Sequence, residues 1–560
     1  MDINLPYRPL TAVALGAGYI VASRAASSHP ISSFIVGFIG LWIAQFAVWA
    51  IWTVLVYPRF FSPLRNLPQP EGNSFFNGQF SKIAELPSGA PMTDWINSIP
   101  NDGLIRYLGL FNQERLLVTS PAALAEVMVT KNYDFKKPDQ IRYSIGRILG
   151  VGVLLAEGEE HKMQRKNLLP AFAFRHIKDL YTVFWDKSRE VVEAMTEAVL
   201  QDAAEPTNES GRKDTSVIEV SSWASRVTLD IIGVAGLGHD FGAIKDPTNE
   251  LNRIYKMLFR PSRQAQVLAR LRLIFPGWIL NNLPIKRNDD VHAAARFIRA
   301  TCAGLIKEKK DKLARKELND RDILSVAIES GGFTDENLVD QLMTFLAAGH
   351  ETTASSMTWA IYLLAKHTEV QKRLRAEIHQ HLLPLVGGDA HATVTSLDID
   401  NMPFLNAVCN EVLRYYGPVP LTFRTAARDT SIQGQFVPKG TRIVLCPWAV
   451  NKSKTLWGPD ALEFNPDRWM AKFEGDKEAA SGGAKSNYAY LTFLHGPRSC
   501  IGQAFAKAEF ACLVAAWVGR FSFEVHNKEE LDESKILIKG GITARPANGM
   551  YIKATVVEGW

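Results

Sequence analysis

The chain of 560 residues holds five cysteines, Cys302, Cys409, Cys446, Cys500 and Cys512, and one of them sits in a setting suited to chemistry. Cys500 lies in the run Phe493-Leu-His-Gly496-Pro-Arg498-Ser-Cys500-Ile-Gly502. The residues after it, GQAFAKAEFACLVAAWV, read as an apolar helix, and the positive end of that helix's dipole favours a thiolate over a thiol. Gly496 and Gly502 permit a turn and a close approach of backbone to a bound group. The other four cysteines read as small buried hydrophobes. No CxxC pair occurs and the count is odd, so a disulfide framework is disfavoured and a reducing compartment expected.

A second candidate lies in the stretch NLVDQLMTFLAAGHETTASSMTWAIYLLAKH, which Thr334-Asp335-Glu336 opens as an N-cap followed by acids in the first turn. Its middle is apolar on nearly every face, the pattern of a helix running through a core. Gly349, His350, Glu351, Thr352 and Thr353 interrupt that pattern, and the glycine alone costs about 1 kcal/mol in a helix. Hydroxyls that bond back to their own helix are the ordinary explanation for the threonines. A zinc-protease reading of His350-Glu351 fails, because Ala354 stands where HExxH requires histidine.

The run around Cys500 is FxxGxRxCxG, which resembles the haem-ligand signature of the cytochrome P-450 family. Five fixed positions at a few per cent each give a chance match of ~10⁻⁶ per window. The resemblance implies haem b as cofactor, with Cys500 as axial iron ligand; no CxxCH occurs, so no covalent thioether link is expected. A thiolate donates electron density to the iron and promotes O–O cleavage. Arg498 would pair with a haem propionate, and Phe493, Gly496 and Gly502 would shape the loop. Ala348, Gly349, Glu351, Thr352 and Thr353 match the family's AGxETT. By that resemblance Gly349 opens a groove for dioxygen, Thr352 hydrogen-bonds the iron-bound peroxide, and Glu351 relays protons from solvent. Glu411 and Arg414 give ExxR, ordinarily a surface pair worth ~0.3 kcal/mol. Phe464-Asn-Pro466-Asp-Arg468-Trp469 resembles FxPxRW, so Glu411, Arg414 and Arg468 would form a structural network behind the haem. Arg424, in FRTAARD, matches a propionate-binding position. Gly158-Glu-Glu-His161-Lys-Met-Gln-Arg165 takes the place of WxxxR, with His161 replacing tryptophan and Arg165 retained, a variant associated with fungal members. Lys162, Lys166 and Lys507 are candidates for a basic face that meets an acidic reductase.

These segments need a scaffold. From about Pro121 to Tyr416 helical patterning dominates, interrupted near Gln201–Ser216, Gly331–Thr334 and Val386–Asp400. Strand-like runs follow at Thr441–Cys446 and Met550–Val556, and Lys472–Ser486 reads as a surface insert. The fold expected is mainly α with small β-sheets, a triangular helical body with the haem between the oxygen-activating helix and the cysteine loop. Ahead of it, residues 1–57 read as a membrane anchor. Phe34–Val56 is apolar but for Gln45 and Thr53, and as a helix reaches roughly 34 Å, enough to span a bilayer. Whether the shorter apolar stretch Leu10–Ser23 spans, dips in or lies along the membrane is left open. Residues 58–72 hold Pro58, Pro63, Pro68 and Pro70, which should end the helix and form a semi-rigid hinge. Arg59 and Arg65 argue that the body, residues 73–560, is cytosolic.

The formal charge of +5 is spread without a basic block, so nucleic acid is not called for. The resemblance implies a monooxygenase on the endoplasmic reticulum membrane, drawing electrons from NADPH through a cytochrome reductase, with cytochrome b5 as an optional second donor. Segments near Gln140–Leu155, Phe345–Gly349, Val419–Phe423 and Gly541–Thr543 would meet a hydrophobic substrate, such as a terpenoid or polyketide intermediate of fungal secondary metabolism. The alternatives are a haem-thiolate isomerase or dehydratase that uses no dioxygen, and a haem-based membrane sensor.

Overall fold

Nearly continuous burial along one helix organises the body. In the computed structural model, which describes residues 6–24, 30–204, 213–259, 263–271, 275, 277–317, 322–385, 394–470, 480–540 and 542–560, Asp335–Lys366 is a single helix of 32 residues. Thr334 caps it, its hydroxyl accepting from Asn337 N at 3.2 Å, as the sequence predicts. The helices Val220–Ile231 and Gln503–Arg520 pack along it, and Ser355 Oγ and Trp359 Nε1 both donate to Ala544 O, at 2.9 and 3.0 Å. The segment after Asp139–Leu149 docks on its first turns, where Val151 N and Val153 N donate to Asp340 and Gln341, each at 2.8 Å.

The body is mainly helical with small sheets. A five-stranded sheet runs in the order Leu104–Leu108, Glu114–Val118, Arg442–Leu445, Thr422–Ala426, Phe135–Lys136. A three-stranded sheet sets Tyr551–Val556 between Thr215–Glu219 and Phe521–Val525. The expected strands at Thr441–Cys446 and Met550–Val556 are thus present within a residue of their expected ends. Leu104–Leu108 was not legible as a strand because all five residues are buried, which removes the alternation that marks a half-buried strand. Of the expected interruptions and insert, residues 205–212, 386–393 and 472–479 lie outside the described residues.

Two features of the N-terminal region depart from expectation. The helix Pro30–Ile51 does not stop before Pro58; it continues as a π-helix from Trp52 to Phe61, closed by Ser62 N donating to Tyr57 O at 2.9 Å. The wider i→i+5 turn accommodates the proline ring that would clash with an α-helical carbonyl. Ile31–Phe61 is long and apolar enough to cross a membrane, and none of its apolar window is buried against the body.

The shorter stretch, left open by the sequence, forms the helix Tyr7–Arg24, antiparallel to the first. A Cβ at Gly18 would lie 3.2 Å from Phe34 O, and one at Gly37 3.2 Å from the Val21 side chain. Small residues therefore let the backbones close, as between membrane helices. Gln45, a polar interruption in the span, donates to Leu10 O at 3.5 Å, and Trp42 Nε1 donates to Thr11 Oγ1 at 3.3 Å.

The connector after the apolar helix is docked on the body. Arg106, on the edge strand, donates to Pro58 O at 2.6 Å and Gln69 Oε1 at 2.9 Å, and pairs with Glu114 at 2.8 Å. Asn112 Nδ2 donates to Val54 O at 2.9 Å and to Phe75 O at 2.8 Å. Arg106 and Glu114 are both buried, so removing Arg106 breaks a buried ion pair. Arg106→Ala should cost about 3–5 kcal/mol, read as a lowered thermal midpoint of the detergent-solubilised protein, with new proteolytic cleavage between residues 58 and 72. An unchanged cleavage pattern would mean that Arg106 does not hold the connector.

Candidate active site

Cys500 N donates to Phe493 O at 2.8 Å, closing the loop that carries the thiol. Gly496 within it has φ +74°, and a Cβ there would lie 2.3 Å from Met128 O, so glycine is required on both counts. Gly502 has φ −89°, and only the Phe172 ring, at 3.7 Å, approaches its missing Cβ. The positive-φ glycine of the loop is therefore Gly496, while Gly502 leads into the helix Gln503–Arg520. Arg165, on the helix Gly158–Leu168, fastens the loop by donating to Ser499 O at 2.8 Å and Ser499 Oγ at 3.1 Å. Cys500 is the exposed cysteine and the other four are buried. Burial still pushes its pKa up, against a Gly502 backbone hydrogen bond and the Arg165 charge. The thiol is thus open at the surface of the polypeptide while the protein around it disfavours the thiolate.

Behind the loop lies the densest polar network of the site. Arg414 is forked onto Glu411 through two 2.8 Å bonds, and its remaining N–H groups reach Asn451 O, Ala461 O and Glu463 O at 2.7–2.8 Å. Both side chains are fully buried, so the pair is not the surface contact that ExxR spacing alone suggests. Arg468 Nε and Trp469 Nε1 also donate to Glu411, at 3.2 and 2.9 Å. Asn451 extends the network: its side chain donates to Arg414 O and to Thr492 Oγ1 and accepts from Leu491 N. Leu491 and Thr492 begin the run into Cys500. Asn451 carries no recognisable motif, and sequence reasoning missed it.

A group of cations gathers on the other side of the loop. Arg498 donates to Asn132 Oδ1 at 2.9 Å and pairs with Glu157, while its Nη1 is buried with no hydrogen-bond partner among the described residues. Arg424 is buried in its strand, and burial together with the Arg498 charge pushes its pKa down to about 10. Burial and the Arg424 and Arg498 charges hold Lys137 well below the usual lysine range. His161 Nδ1 lies 3.2 Å from Tyr133 Oη; burial and the nearby cations push its pKa down to about 4, so at neutral pH it is the neutral imidazole. Three cations thus face one carboxylate, Glu157, a charge excess that two propionates would balance. Lys137 was missed because a Lys-Lys pair in a loop reads as solvated surface.

The long helix brings the remaining residues together. Thr352 Oγ1 donates to Ala348 O at 2.8 Å, as the bland reading of a helical threonine expects. Its neighbour Glu351 is buried; it pairs with Arg545 and accepts from Thr543 Oγ1 at 3.0 Å. His350 Nε2 lies 3.9 Å from Glu351 Oε2, and its Nδ1 is 2.7 Å from Leu346 O. A Cβ at Gly349 would come within 3.0 Å of the Ile232 side chain, so glycine there admits the neighbouring helix. Thr353 Oγ1 donates to Glu509 Oε2 at 3.0 Å, tying this helix to the one that follows Cys500. Of the three lysines expected on a docking face, Lys162 and Lys166 are exposed, but Lys507 is half-buried and donates to Asn410 at 2.9 Å. Of the substrate-facing residues expected near the C-terminus, Gly541 lies outside the described residues and Thr543 is bonded to Glu351.

The family model for cytochrome P-450 matches residues 95–552. The chain belongs to the cytochrome P-450 family. It is 47% identical to the cytochrome P-450 monooxygenase sphH of Aspergillus fumigatus over 519 residues, 91% of each chain. It is 45% identical to FUM15 of Gibberella moniliformis, covering 90% of each chain. It is also 43% identical to ALT8 of Alternaria alternata, covering 92% of this chain and 93% of the relative. Both are named cytochrome P-450 monooxygenases. The protein is accordingly an oxidoreductase of the monooxygenase kind, and a cytochrome P-450 of this kind carries a haem-thiolate cofactor and needs O2, a redox partner and a small-molecule substrate. An accessible thiol, an orphaned Arg498 N–H and an excess of cations beside it fit that cofactor.

Burial holds Glu509 well above the usual carboxylate range, against the Thr353 hydrogen bond, and its Oε1 has no partner among the described residues. The folded protein keeps the proton while the unfolded chain releases it near pH 4.5. Stability is therefore lost as pH rises above that value. Glu509→Gln keeps an acceptor for Thr353 without the ionisable group, so it should have the higher thermal midpoint at pH 8, with the gap closing toward pH 4.5. A variant less stable than wild type by the same margin at both pH values would sink this assignment.

Proposed function

We propose that this cytochrome P-450 inserts one oxygen atom from O2 into an unactivated C–H or C=C bond of a hydrophobic small molecule. The substrate class is a terpenoid or polyketide intermediate of fungal secondary metabolism. Electrons come from NADPH through a membrane-bound flavoprotein reductase. The apolar Ile31–Phe61 helix would hold the body on the cytosolic face of the endoplasmic reticulum membrane. The observation that carries this reading is the pairing of an accessible Cys500 with a helix that offers Glu351 and Thr352 in succession.

In this reading the Cys500 thiolate would hold a non-covalently bound haem b through its iron. Arg498 Nη1, Arg424, Lys137 and neutral His161 would receive the propionates, and Arg165 keeps the thiol loop in place. When bound, the haem supplies activation of dioxygen and transfer of one oxygen atom. The polypeptide's part is to hold and move protons. Thr352 commits its own proton to Ala348 O, which leaves its oxygen free to accept one. Glu351 is pinned by Thr543 and by Arg545, whose side chain reaches partly into solvent. A carboxylate so placed links outside water to the helix position next to Thr352. Gly349 would leave room for dioxygen beside that hydroxyl. The acid–alcohol pair favours an oxygenase over an isomerase, a dehydratase or a sensor, which need no proton delivery.

A carbon monoxide difference spectrum of the reduced protein in membranes, wild type beside Cys500→Ala, tests the ligand. The wild type should give the strongly red-shifted Soret band of a thiolate-bound haem, and the variant should lose it. A haem-loaded wild type showing only the unshifted band would overturn the assignment. Thr352→Ala should keep the shifted band but divert NADPH consumption to hydrogen peroxide by roughly tenfold or more relative to product, the scale of a lost proton-transfer group. Full coupling in that variant would remove Thr352 from proton delivery.

A further inference from the structure

A cavity of about 350 Å³ lies between the start of the body and its C-terminal region, lined by Leu86 and Pro87, by Tyr416, Trp448 and Lys452, and by residues 533–538. None of these belongs to the Cys500 loop or to the Gly349–Thr353 stretch. The cavity's size is within the range of small-molecule sites. Two of its walls are fixed. Tyr416 stacks on Trp359 of the long helix with ring centroids 4.1 Å apart, and Trp448 Nε1 donates to Gly417 O at 2.6 Å.

Lys452 is the unusual member of the lining. Its ammonium sits 4.2 Å from the Tyr415 ring centroid, 4.9 Å from that of Tyr416 and 5.2 Å from that of Trp448. Ring faces attract a cation, yet they accept none of its three N–H bonds in the way an anion would. Among the described residues no carboxylate is within ion-pairing distance of it. Glu533, the one acid of the lining, is already committed: it accepts from Lys366 Nζ at 2.7 Å, Tyr416 Oη at 2.6 Å and Tyr415 Oη at 3.0 Å. Burial pushes Lys452 down to about 8 despite the Glu533 charge, the mark of an amine without a close counter-ion. Lys535 adds a second positive charge to the lining, and Leu86 and Leu537 stand exposed as apolar lips.

We propose that this cavity is a binding site for a small amphipathic carboxylate, whose head group pairs with Lys452 inside the aromatic box and whose apolar tail lies along Ile536, Leu537 and Ile538. The carboxylate would give the half-buried Lys452 an anionic partner among the rings, and a neutral head group would not. The site is separate from the oxygenation chemistry and does not rest on it.

The test is calorimetric titration of the detergent-solubilised holoenzyme, with imidazole saturating the haem iron, using octanoate and its neutral counterpart 1-octanol as probes. Octanoate should bind at least tenfold more tightly than octanol. Lys452→Met should remove that preference while leaving the red-shifted carbon monoxide spectrum intact. Leu537→Asp removes an apolar tail contact and places a like charge at an exposed lip, so it should weaken both probes and octanoate several-fold more than octanol. Equal affinities for the two probes in the wild type would overturn the proposal even if Lys452→Met fails to fold. So would an octanoate affinity that neither substitution alters.

Discussion

Two charged side chains with no exposure to water hold this molecule's chemistry in place. Glu411 and Arg414 are one turn apart on the helix Pro403–Tyr415, and burying them is unfavourable unless every donor and acceptor finds a partner. Here they do. Three backbone carbonyls from separate segments take the guanidinium's remaining N–H groups, and Arg468, Trp469 and Asn465 N converge on the carboxylate. Because the partners come from residues 451 to 469, the pair fixes a long irregular stretch that regular secondary structure does not organise. Asn451 passes that order on to Leu491 and Thr492, and so to the loop of Cys500. The thiol's position is thus set by a network that never touches it.

The opposite side of the loop follows a different rule. Arg498, Arg424 and Lys137 are gathered with a single carboxylate between them, and burial and mutual repulsion depress the pKa values of Arg424 and Lys137. A polypeptide optimised for its own stability would pair or expose these cations. Their convergence is understandable where a dianionic cofactor completes the charge balance. Rigid support behind the thiol and unbalanced charge beside it are two halves of one arrangement.

The N-terminal apolar helix adds a mechanical constraint. The π-helical turn through Pro58 carries the apolar helix directly into contacts with Arg106 and Asn112 on the edge of the five-stranded sheet. Orientation of the apolar helix is thereby coupled to the body through buried hydrogen bonds, where proline content alone suggested a hinge. The antiparallel helix Tyr7–Arg24 broadens the apolar unit, using Gly18 and Gly37 for close approach and turning the polar Gln45 toward a backbone carbonyl.

The sequence by itself determined the family, the cap and extent of the long helix, and the long apolar stretch near the N-terminus. Each depends on local pattern: fixed spacing around Cys500, Thr334 ahead of an apolar run, and a run after Ser33 that is apolar but for Gln45 and Thr53. Only the tertiary structure decided which residues act together across the chain. Lys137 meets Arg424 and Arg498, Arg545 and Thr543 pin Glu351, and Asn451 bridges Arg414 to Thr492, over separations that no periodicity records. It also decided that Lys507 is half-buried and that Gly496 is the loop's positive-φ glycine. Patterning reports how a segment meets water or its own backbone, whereas the partner of a buried charge is set by whichever distant segment packs against it.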